Sequence, residues 1–265
     1  MNTTLATLSI AVLGTLGVGS ASAYSTFLGQ DANGNPTLIL DINNPATCSV
    51  AAPCAALAQA DFFGSSTLQV ENFEGQTVGQ QAPLTLAFGS GNTAVNATLL
   101  GTGGKVQSVT TATDGRYSVP GGTKFWEATA TSSSSTTFSI SFDAKVEAFG
   151  FVGIDIGDFG GTLSLELLDA NGNVMGSSFQ VGTLTSGQDG SLLYFGIRAQ
   201  SESEWFRGVR FRPTNTTTAT DVFAFDSFTV VGAPQTTAGT GVPEPGSLAL
   251  ASLALLGLGM ARRRA

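Results

Sequence analysis

The sequence predicts an all-β domain, most simply an antiparallel β-sandwich of the jelly-roll type, with a short N-terminal helix and a C-terminal hydrophobic helix. A dozen short segments between positions 68 and 231 alternate apolar with polar residues, and turn sequences such as Asp169-Ala170-Asn171-Gly172 separate them. The chain holds 34 glycines and only 11% charged residues, which is typical of short strands joined by tight turns. Of its 265 residues, about two hundred remain after a targeting segment at each end is subtracted, and this length suits one domain.

The pattern of the domain begins irregularly, over residues 24–66. Within it, positions 53–63 predict a short helix, because Leu57, Ala60 and Phe63 fall on one helical face. After the helix we predict strands at 68–73, 84–88, 94–100, 105–111, 125–130, 137–142, 146–156, 163–168, 174–181, 192–197, 206–211 and 222–231.

The segment 146–156 differs from the other predicted strands because it is apolar on both faces. A strand of this kind is buried on both sides, so we predict that it lies at the centre of the fold. One face carries Val146, Ala148, Val152 and Ile154, and the other carries Phe149 and Phe151.

The N-terminal segment has the features of an export signal. Residues 5–18 are apolar and uncharged, and Ala21 and Ala23 then provide the small-x-small pattern of a signal-peptidase site. We therefore predict a signal peptide over 1–23, cleaved after Ala23, although no lysine or arginine precedes the apolar run. A buried helix of the domain is the alternative, but each glycine of the run would cost it about 1 kcal/mol.

The C-terminal segment has three parts after a polar linker at 233–241. The first part is a short motif whose two prolines hold its acidic residue in an extended conformation. An apolar run at 247–261 predicts a lipid-compatible helix, and basic residues after it favour a cytoplasmic C-terminus. The motif consists of Val242, Pro243, Glu244 and Pro245, and the basic residues are Arg262, Arg263 and Arg264.

This ending resembles the PEP-CTERM sorting signal of Gram-negative bacteria over residues 241–265. The resemblance implies recognition of Val242 to Pro245 by an exosortase, transient anchoring in the inner membrane, and a final location at the cell surface or in the extracellular matrix. In that family such proteins accompany exopolysaccharide machinery, so exopolysaccharide is an expected partner. A plain C-terminal membrane anchor is the alternative interpretation.

The domain at 24–232 also resembles a recurrent jelly-roll ectodomain of other PEP-CTERM proteins. The resemblance lies in the order of short motifs, and it implies a fold and a location without an assigned activity. These motifs are Asn72-Phe73-Glu74-Gly75, Gly115-Arg116-Tyr117, the stretch FVGIDIGDFG at 151–160 and the stretch DVFAFDSF at 221–228.

The two cysteines of the chain, Cys48 and Cys54, are too widely spaced for a redox C-x-x-C motif and too few for a zinc site. In an exported protein such a pair predicts one local disulfide, the alternative being two free thiols.

The charge balance argues against nucleic acid as a partner. With 11 basic and 19 acidic residues the net charge is -8, and the part of the chain up to Val242 is more acidic still because three arginines lie at the C-terminus. A surface of this sign repels phosphate backbones, whereas calcium is the more natural ionic partner.

The chain contains no histidine, which excludes Ser-His-Asp and Cys-His catalysis and any His-ligated metal site. Carboxylate chemistry would need two acids that flank a sugar, and the pairs Asp155 with Asp158 and Glu202 with Glu204 are too close in sequence to be persuasive. We therefore predict a protein that is not an enzyme.

Asp226 is the acid whose environment the sequence constrains most. In a regular last strand it shares a face with Val222, Ala224, Phe228 and Val230, so its carboxylate is buried and requires a partner. First and last strands of jelly rolls commonly lie side by side, which would bring Glu74 to Asp226 and let both hold a structural calcium ion with a backbone carbonyl. The alternatives are a β-bulge that turns Asp226 outward and an ion pair with Arg210. Asp155 and Asp158 form a second, weaker candidate for a metal site.

Three aromatic residues, Tyr117, Trp126 and Trp205, are candidates for stacking on sugar rings, although core packing explains Trp126 and Trp205 equally well. The leading hypothesis is thus an exported, exosortase-processed surface or matrix protein that is not catalytic and that associates with exopolysaccharide. The alternatives are a carbohydrate-active enzyme on the same fold and a purely structural envelope module.

Overall fold

A computed structural model of the protein describes residues 24–31, 55–66, 69–90, 94–108, 115–119, 121–132, 136–157, 159–181 and 190–232. A one-turn 3-10 helix, Glu202–Glu204, lies shortly before the strand Phe206–Asn215. The remaining elements are β1 Tyr24–Asp31, α1 Ala55–Phe63, β2 Gln69–Glu71, β3 Leu84–Phe88, β4 Val95–Gly101, β5 Lys105–Ser108, β6 Lys124–Ala130, β7 Phe138–Ile154, β8 Gly161–Leu168, β9 Phe179–Val181, β10 Leu192–Ala199, β11 Phe206–Asn215 and β12 Asp221–Gly232.

Strand β7 organises the fold because it contributes to both layers. Its first half, 138–142, pairs with β4 and β11 and belongs to the layer β3-β4-β7-β11-β8-β9. Its second half, 146–154, pairs with β10 and β12 and belongs to a layer in which β1 borders β10, while β6 and β2 border β12. All these pairings are antiparallel, so the predicted antiparallel sandwich is confirmed at this level.

The core between the layers is built largely from phenylalanine rings. Phe138 and Phe211 of the first layer stack with their centroids 4.3 Å apart, and Phe225 of the second layer packs edge-on against both, at 5.2 and 5.3 Å. Phe149 and Phe151, on the inner face of β7, are fully buried in the same cluster. Edge-to-face contacts of this kind add to the hydrophobic burial that holds the layers together.

Helix α1 covers the outer face of the second layer. Phe62 packs on Tyr194 with ring centroids 5.7 Å apart, and Gly196 leaves room for its ring, since a Cβ atom there would lie 2.3 Å from Phe62 Cδ2. The helix lies within the predicted span, but its predicted buried face is wrong. Its buried residues are Ala55, Ala58 and Phe62, because the helix rests on β10 and β1 along that edge.

The prediction for residues 146–156 as a central, doubly buried strand is confirmed for the part that lies in β7. Ala148, Val152 and Ile154 belong to the cluster under α1, while Phe149 and Phe151 face the main core. Val146 was assigned to the wrong face: it lies in the main core, next to the register shift at which β7 passes between layers.

Three strand predictions need correction. Tyr24–Asp31 was taken as irregular but forms β1, paired along β10. The segments 137–142 and 146–156 are one continuous strand, β7. The strand predicted at 174–181 is reduced to β9, Phe179–Val181, with an isolated bridge between Leu168 and Val174.

Strand β12 contains a bulge that the regular pattern did not predict. Asp226 pairs with Val152 and Thr229 with Gly150, so Ser227 and Phe228 together face a single residue of β7. Ser227 adopts the left-handed conformation, with φ of 47°. The bulge lies where β12 exchanges its neighbour β6 for β2.

The bulge shifts the alternation of β12 by one residue. Phe228 and Val230 therefore face the main core together with Phe223 and Phe225, and not on the side of Asp226 as predicted.

Among the described residues no helix has the length and apolar character needed to cross a membrane. The predicted signal peptide at 1–23 and the predicted hydrophobic helix at 247–261 lie outside the described residues.

Candidate functional site

A cavity of about 290 Å³ opens at one end of the sandwich, where β7 ends and β8 and β12 begin. Three separate segments build its walls: the stretch 115–119 before β6, the connection from β7 to β8, and the start of β12 with the turn before it. The cavity combines a carboxylate, a guanidinium group, a hydroxyl and an aromatic ring. Its lining residues are Arg116, Asp155, Phe159, Thr220 and Val222.

Asp155 supplies the carboxylate of the cavity, directly after the last residue of β7. It adopts a left-handed conformation, with φ of 63°, and is 3% exposed. Its Oδ1 atom accepts a hydrogen bond of 2.8 Å from the backbone amide of Gly190. Gly115 packs so closely on the carboxylate that a Cβ atom there would lie 2.3 Å from Oδ1. A strained, buried acid fixed in this way is a feature that functional sites often carry.

Arg116 is held at the cavity by an ion pair with Glu127 of β6. Its Nη1 atom lies 2.9 Å from Glu127 Oε2, and both side chains are largely buried. Lys105 of β5 lies 3.6 Å from the other oxygen of the same carboxylate. Because the pair with Glu127 restrains its rotamer, the guanidinium group is fixed in position at the cavity wall.

Phe159 was not predicted from the sequence as a site residue, and neither were Arg116, Thr220 and Val222. The Phe159 side chain is 54% exposed, the largest value among the large hydrophobic residues of the described part of the chain. Its carbonyl accepts a hydrogen bond of 3.1 Å from Thr217 Oγ1, and Thr217 is held by Asn215 Oδ1 at 2.8 and 2.9 Å. The signal available in the sequence was a ring placed between Gly157 and Gly160, beyond the end of a buried strand.

The three aromatic residues predicted to stack on sugars do not form a common surface. Tyr117 is 3% exposed, and its hydroxyl donates to the carbonyl of Gly190; Trp126 is 1% exposed and packs on Phe138 with centroids 5.9 Å apart. Both rings are therefore core residues, so ligand stacking by Tyr117 was predicted wrongly, and for Trp126 the alternative of core packing is confirmed. Trp205 is half-buried, so its role in ligand stacking remains a prediction.

Glu74 and Asp226 were predicted to lie close together. Glu74 follows β2, which pairs with β12, the strand that contains Asp226. Both carboxylates bind the segment that leads into β6. Glu74 accepts from the amides of Thr123 and Lys124 at 2.5 and 2.7 Å, and Asp226 Oδ2 accepts from the amide of Val119 at 2.8 Å. Each acid thus has backbone donors as partners, and Asp226 is not paired with Arg210, which bonds Glu166.

The burial of Asp226 was predicted correctly, since its side chain is 0% exposed. Burial raises its pKa to about 7, against hydrogen bonds from Val119 and Ser227 that lower it, and the charges of Glu74 and Glu71 raise it further. Burial also raises the pKa of Glu74, but the hydrogen bonds from Thr123 and Lys124 outweigh it and hold that pKa below its usual value.

The described residues contain no group of three or more acidic, histidine or cysteine side chains arranged to hold a metal ion. A calcium ion at Glu74 and Asp226 would need its other ligands from oxygen atoms outside carboxylates, such as backbone carbonyls, and it remains a prediction. Of the second candidate pair, Asp155 lines the cavity and Asp158 lies outside the described residues.

A second, shallower depression of about 240 Å³ lies on the exposed face of the first layer. It is lined by short polar side chains, and its ring, Phe142, is 3% exposed. It therefore lacks the exposed ring of the larger cavity. The polar lining residues are Thr85, Asn96, Thr98, Ser141 and Asp143.

The remaining predicted site residues lie outside the described residues. They are Ala21 and Ala23 of the signal-peptidase site, Cys48 and Cys54 of the disulfide, Val242, Pro243, Glu244 and Pro245 of the sorting motif, and Arg262, Arg263 and Arg264.

Comparison with known proteins decides the nature of the C-terminal segment. Residues 241–264 match the family model of the PEP-CTERM protein-sorting motif. The chain carries a PEP-CTERM sorting signal. This signal implies export, with a C-terminal membrane anchor before processing by an exosortase. No protein of curated function matches the chain by sequence.

Among solved structures the sandwich is similar to domains of low sequence identity. The K2 cleaved adhesin domain of Lys-gingipain is 12% identical, with a TM-score of 0.42, over 64% of this chain and 100% of that domain. The CBM22-1 xylan-binding domain of Paenibacillus barcinonensis Xyn10C is 14% identical, with a TM-score of 0.34, over 63% of this chain and 97% of that domain. TmCBM61, solved with β-1,4-galactotriose, is 14% identical, with a TM-score of 0.26, over 52% and 88%. These are likenesses of fold.

Proposed function

We propose that this chain is an exported protein that an exosortase processes, and that its mature β-sandwich resides at the cell surface or in the extracellular matrix of a Gram-negative bacterium. The observation that carries the proposal is the PEP-CTERM motif at 241–264, which follows the last strand of the sandwich after a short linker. Signal peptidase removes 1–23, and the helix at 247–261 anchors the precursor in the inner membrane until the motif is cut.

The mature domain has no catalytic role in this proposal. The chain lacks histidine, and several buried carboxylates of the described residues serve the fold. Asp221 accepts from the amide of Gly161 at 2.8 Å, Glu71 from the amide of Phe73 at 2.8 Å, and Glu127 pairs with Arg116. Acids engaged in this way support a binding or structural role more than acid-base chemistry.

Replacement of Pro243, Glu244 and Pro245 by alanine tests the processing step. We expect the unprocessed precursor to accumulate in the inner membrane, whereas the wild-type chain leaves it with a shortened C-terminus. Pro234→Ala, in the linker, is the matched control and is processed normally. Fractionation followed by mass measurement of each fraction separates the two results, and normal maturation of the triple variant would remove the sorting proposal.

The association with exopolysaccharide is tested separately, by location. In cells that make the polymer we expect the mature protein in the sedimented matrix, and in cells that lack it we expect the protein in the medium. An unchanged distribution between matrix and medium contradicts the association, while the processing proposal would stand.

A further inference from the structure

The cavity at Arg116, Asp155 and Phe159 differs from the rest of the described surface in exposing a large ring. Full burial of a phenylalanine side chain stabilises a fold by about 1.5 to 3 kcal/mol relative to exposure. Phe159 is 54% exposed and so lacks much of this stabilisation, whereas most other phenylalanine rings of the domain are buried in its core. A ring that stays in solvent at the mouth of a cavity offers an apolar face on which a ligand can pack.

The backbone that carries the ring is held by contacts within the protein. The turn before β8 closes with a hydrogen bond of 3.2 Å from the Gly160 amide to the Gly157 carbonyl. A Cβ atom at Gly160 would lie 3.0 Å from Thr217 Cγ2, so this turn packs directly on the loop between β11 and β12. Because both walls are fixed before binding, little ordering cost opposes a ligand.

The polar groups of the cavity define what such a ligand must offer. A carboxylate at Asp155 accepts hydrogen bonds, and a guanidinium group at Arg116 donates them, while Thr220 can do both. A ligand that satisfies the ring and these groups together has one apolar face and an edge of hydroxyl groups that act as donors and acceptors. A pyranose sugar has this form, since the C–H groups of one face pack on the negative face of an aromatic ring.

The size of the cavity and the charge of the domain narrow the ligand further. A volume of about 290 Å³ is at the lower end of the range for small-molecule sites, which leaves room for about one sugar ring. The chain carries a net charge of -8, and Asp155 lies in the cavity wall, where the charge of Arg116 is already balanced by its ion pair with Glu127. An anionic sugar is therefore disfavoured.

We propose that this cavity binds one uncharged pyranose unit at the end of a glycan chain, with the ring on Phe159 and the hydroxyls on Asp155 and Arg116. This assignment is based on the geometry of the cavity. It depends on the proposed function only for the source of the glycan. The site recognises a chain end because the cavity is small, whereas a polymer bound along its length would need an open groove.

The test uses the full-length chain in detergent, so that it does not depend on processing. Binding of the methyl glycosides of glucose, galactose, mannose, xylose and arabinose, and of glucuronic acid, is measured by ligand-observed NMR. At least one neutral glycoside binds, and Phe159→Ala weakens it by about tenfold or more. Phe159→Trp keeps the affinity within about threefold, because it restores a ring face.

Val174→Ala is the matched control, since Val174 is 42% exposed but does not line the cavity. It leaves affinity unchanged, and Asp155→Asn, which keeps an acceptor for the Gly190 amide, weakens binding. Three results would overturn the proposal: no neutral glycoside binds, Phe159→Ala binds as well as the wild type, or glucuronic acid binds as tightly as the neutral sugars. None of them bears on the Pro243-Glu244-Pro245 variant, whose failure would affect the sorting proposal alone.

Discussion

At the scale of single residues, Asp226 shows how a fold can keep an acid that it does not expose. Its carboxylate lies against the segment before β6, where the amide of Val119 donates to Oδ2, and the amide of Ser227, in the bulge of β12, donates to Oδ1. Two hydrogen bonds do not replace the lost hydration of the charged form, and Glu74 and Glu71 lie near enough to oppose that charge. The neutral acid is therefore favoured below neutral pH.

This environment predicts a fall in stability as the pH rises. The folded state binds the proton with a pKa of about 7 and the unfolded state with the ordinary 3.8, so between these values the folded state holds more protons and stability falls with increasing pH. The full difference corresponds to about 4 kcal/mol. Thermal melting at about pH 5 and about pH 8 should show the part of this loss that falls between them, about 2 to 3 kcal/mol, and Asp226→Asn should remove most of it.

The control for the acid is Asp61→Asn, because Asp61 is exposed on α1. It should leave the difference between the two pH values as in the wild type. The pKa of Glu74 is lowered, so its contribution to stability is lost as the pH falls below its ordinary value of 4.5. That loss lies outside the range between pH 5 and pH 8. A difference that persists in Asp226→Asn would assign the pH dependence to other groups.

A second prediction at this scale concerns the glycine that packs on Asp155. Gly115 has φ of 76°, and Gly172 has φ of 80° with nothing within 4 Å of an added Cβ atom. Both changes to alanine cost about 1 to 2 kcal/mol for the left-handed conformation. Gly115→Ala also forces a Cβ atom against the Asp155 carboxylate. In urea denaturation it should therefore lower the free energy of unfolding by about 1 to 3 kcal/mol more than Gly172→Ala does. Equal losses would show that the contact relaxes without cost.

At the scale of elements, the sequence predicted most strands because alternation is a local property. Predicted residues 84–88 coincide with β3, and the last strand differs from β12 by one residue at each end. The bulge at Ser227 could not be predicted in this way, since a period-2 pattern does not show where an extra residue is inserted. It changed which residues share a face with Asp226 without changing the extent of the strand.

The continuity of β7 escaped prediction for a related reason. The polar stretch Asp143-Ala144-Lys145 resembles a turn in sequence, but in the fold it is the exposed bend at which one strand passes between layers. The cavity was not predicted because its walls come from three segments that are distant in sequence. Asp155 could be singled out by its motif, whereas Phe159 gained significance only once Arg116 and Thr220 lay beside it.

The docking of α1 yields a prediction that separates the two possible helix faces. Phe62 is 0% exposed and contacts Phe27 and Tyr194, while Arg198 lies 5.5 Å from its ring centroid. Phe62→Ala should cost about 3 to 5 kcal/mol through the cavity it leaves. Leu57→Ala, on the face that periodicity favoured, should cost about 1 kcal/mol or less. Chemical denaturation of the two variants measures the difference, and a larger loss for Leu57→Ala would contradict the observed docking.

At the scale of the whole molecule, the predicted targeting segments adjoin the ends of the sandwich. Strand β12 ends at Gly232, immediately before the linker at 233–241, and β1 begins at Tyr24, immediately after the predicted cleavage site. Tyr24 is an anchor of the fold, since its hydroxyl donates to the Glu204 carbonyl at 2.9 Å and its ring packs edge-on against Phe179 at 5.7 Å. Cleavage elsewhere would either add residues to this edge or remove part of β1.

The mature N-terminus is therefore expected at Tyr24, and N-terminal sequencing of the exported protein checks it. Loss of residues 24–31 should lower the melting temperature, because β10 would lose its pairing partner from Leu192 to Ala199 and become an exposed strand edge. Tyr24→Phe keeps the ring contact and should cost only about 1 kcal/mol for the hydrogen bond. A mature chain that begins beyond Asp31 and melts at the same temperature as one that begins at Tyr24 would show that β1 is dispensable and that the sandwich is complete without it.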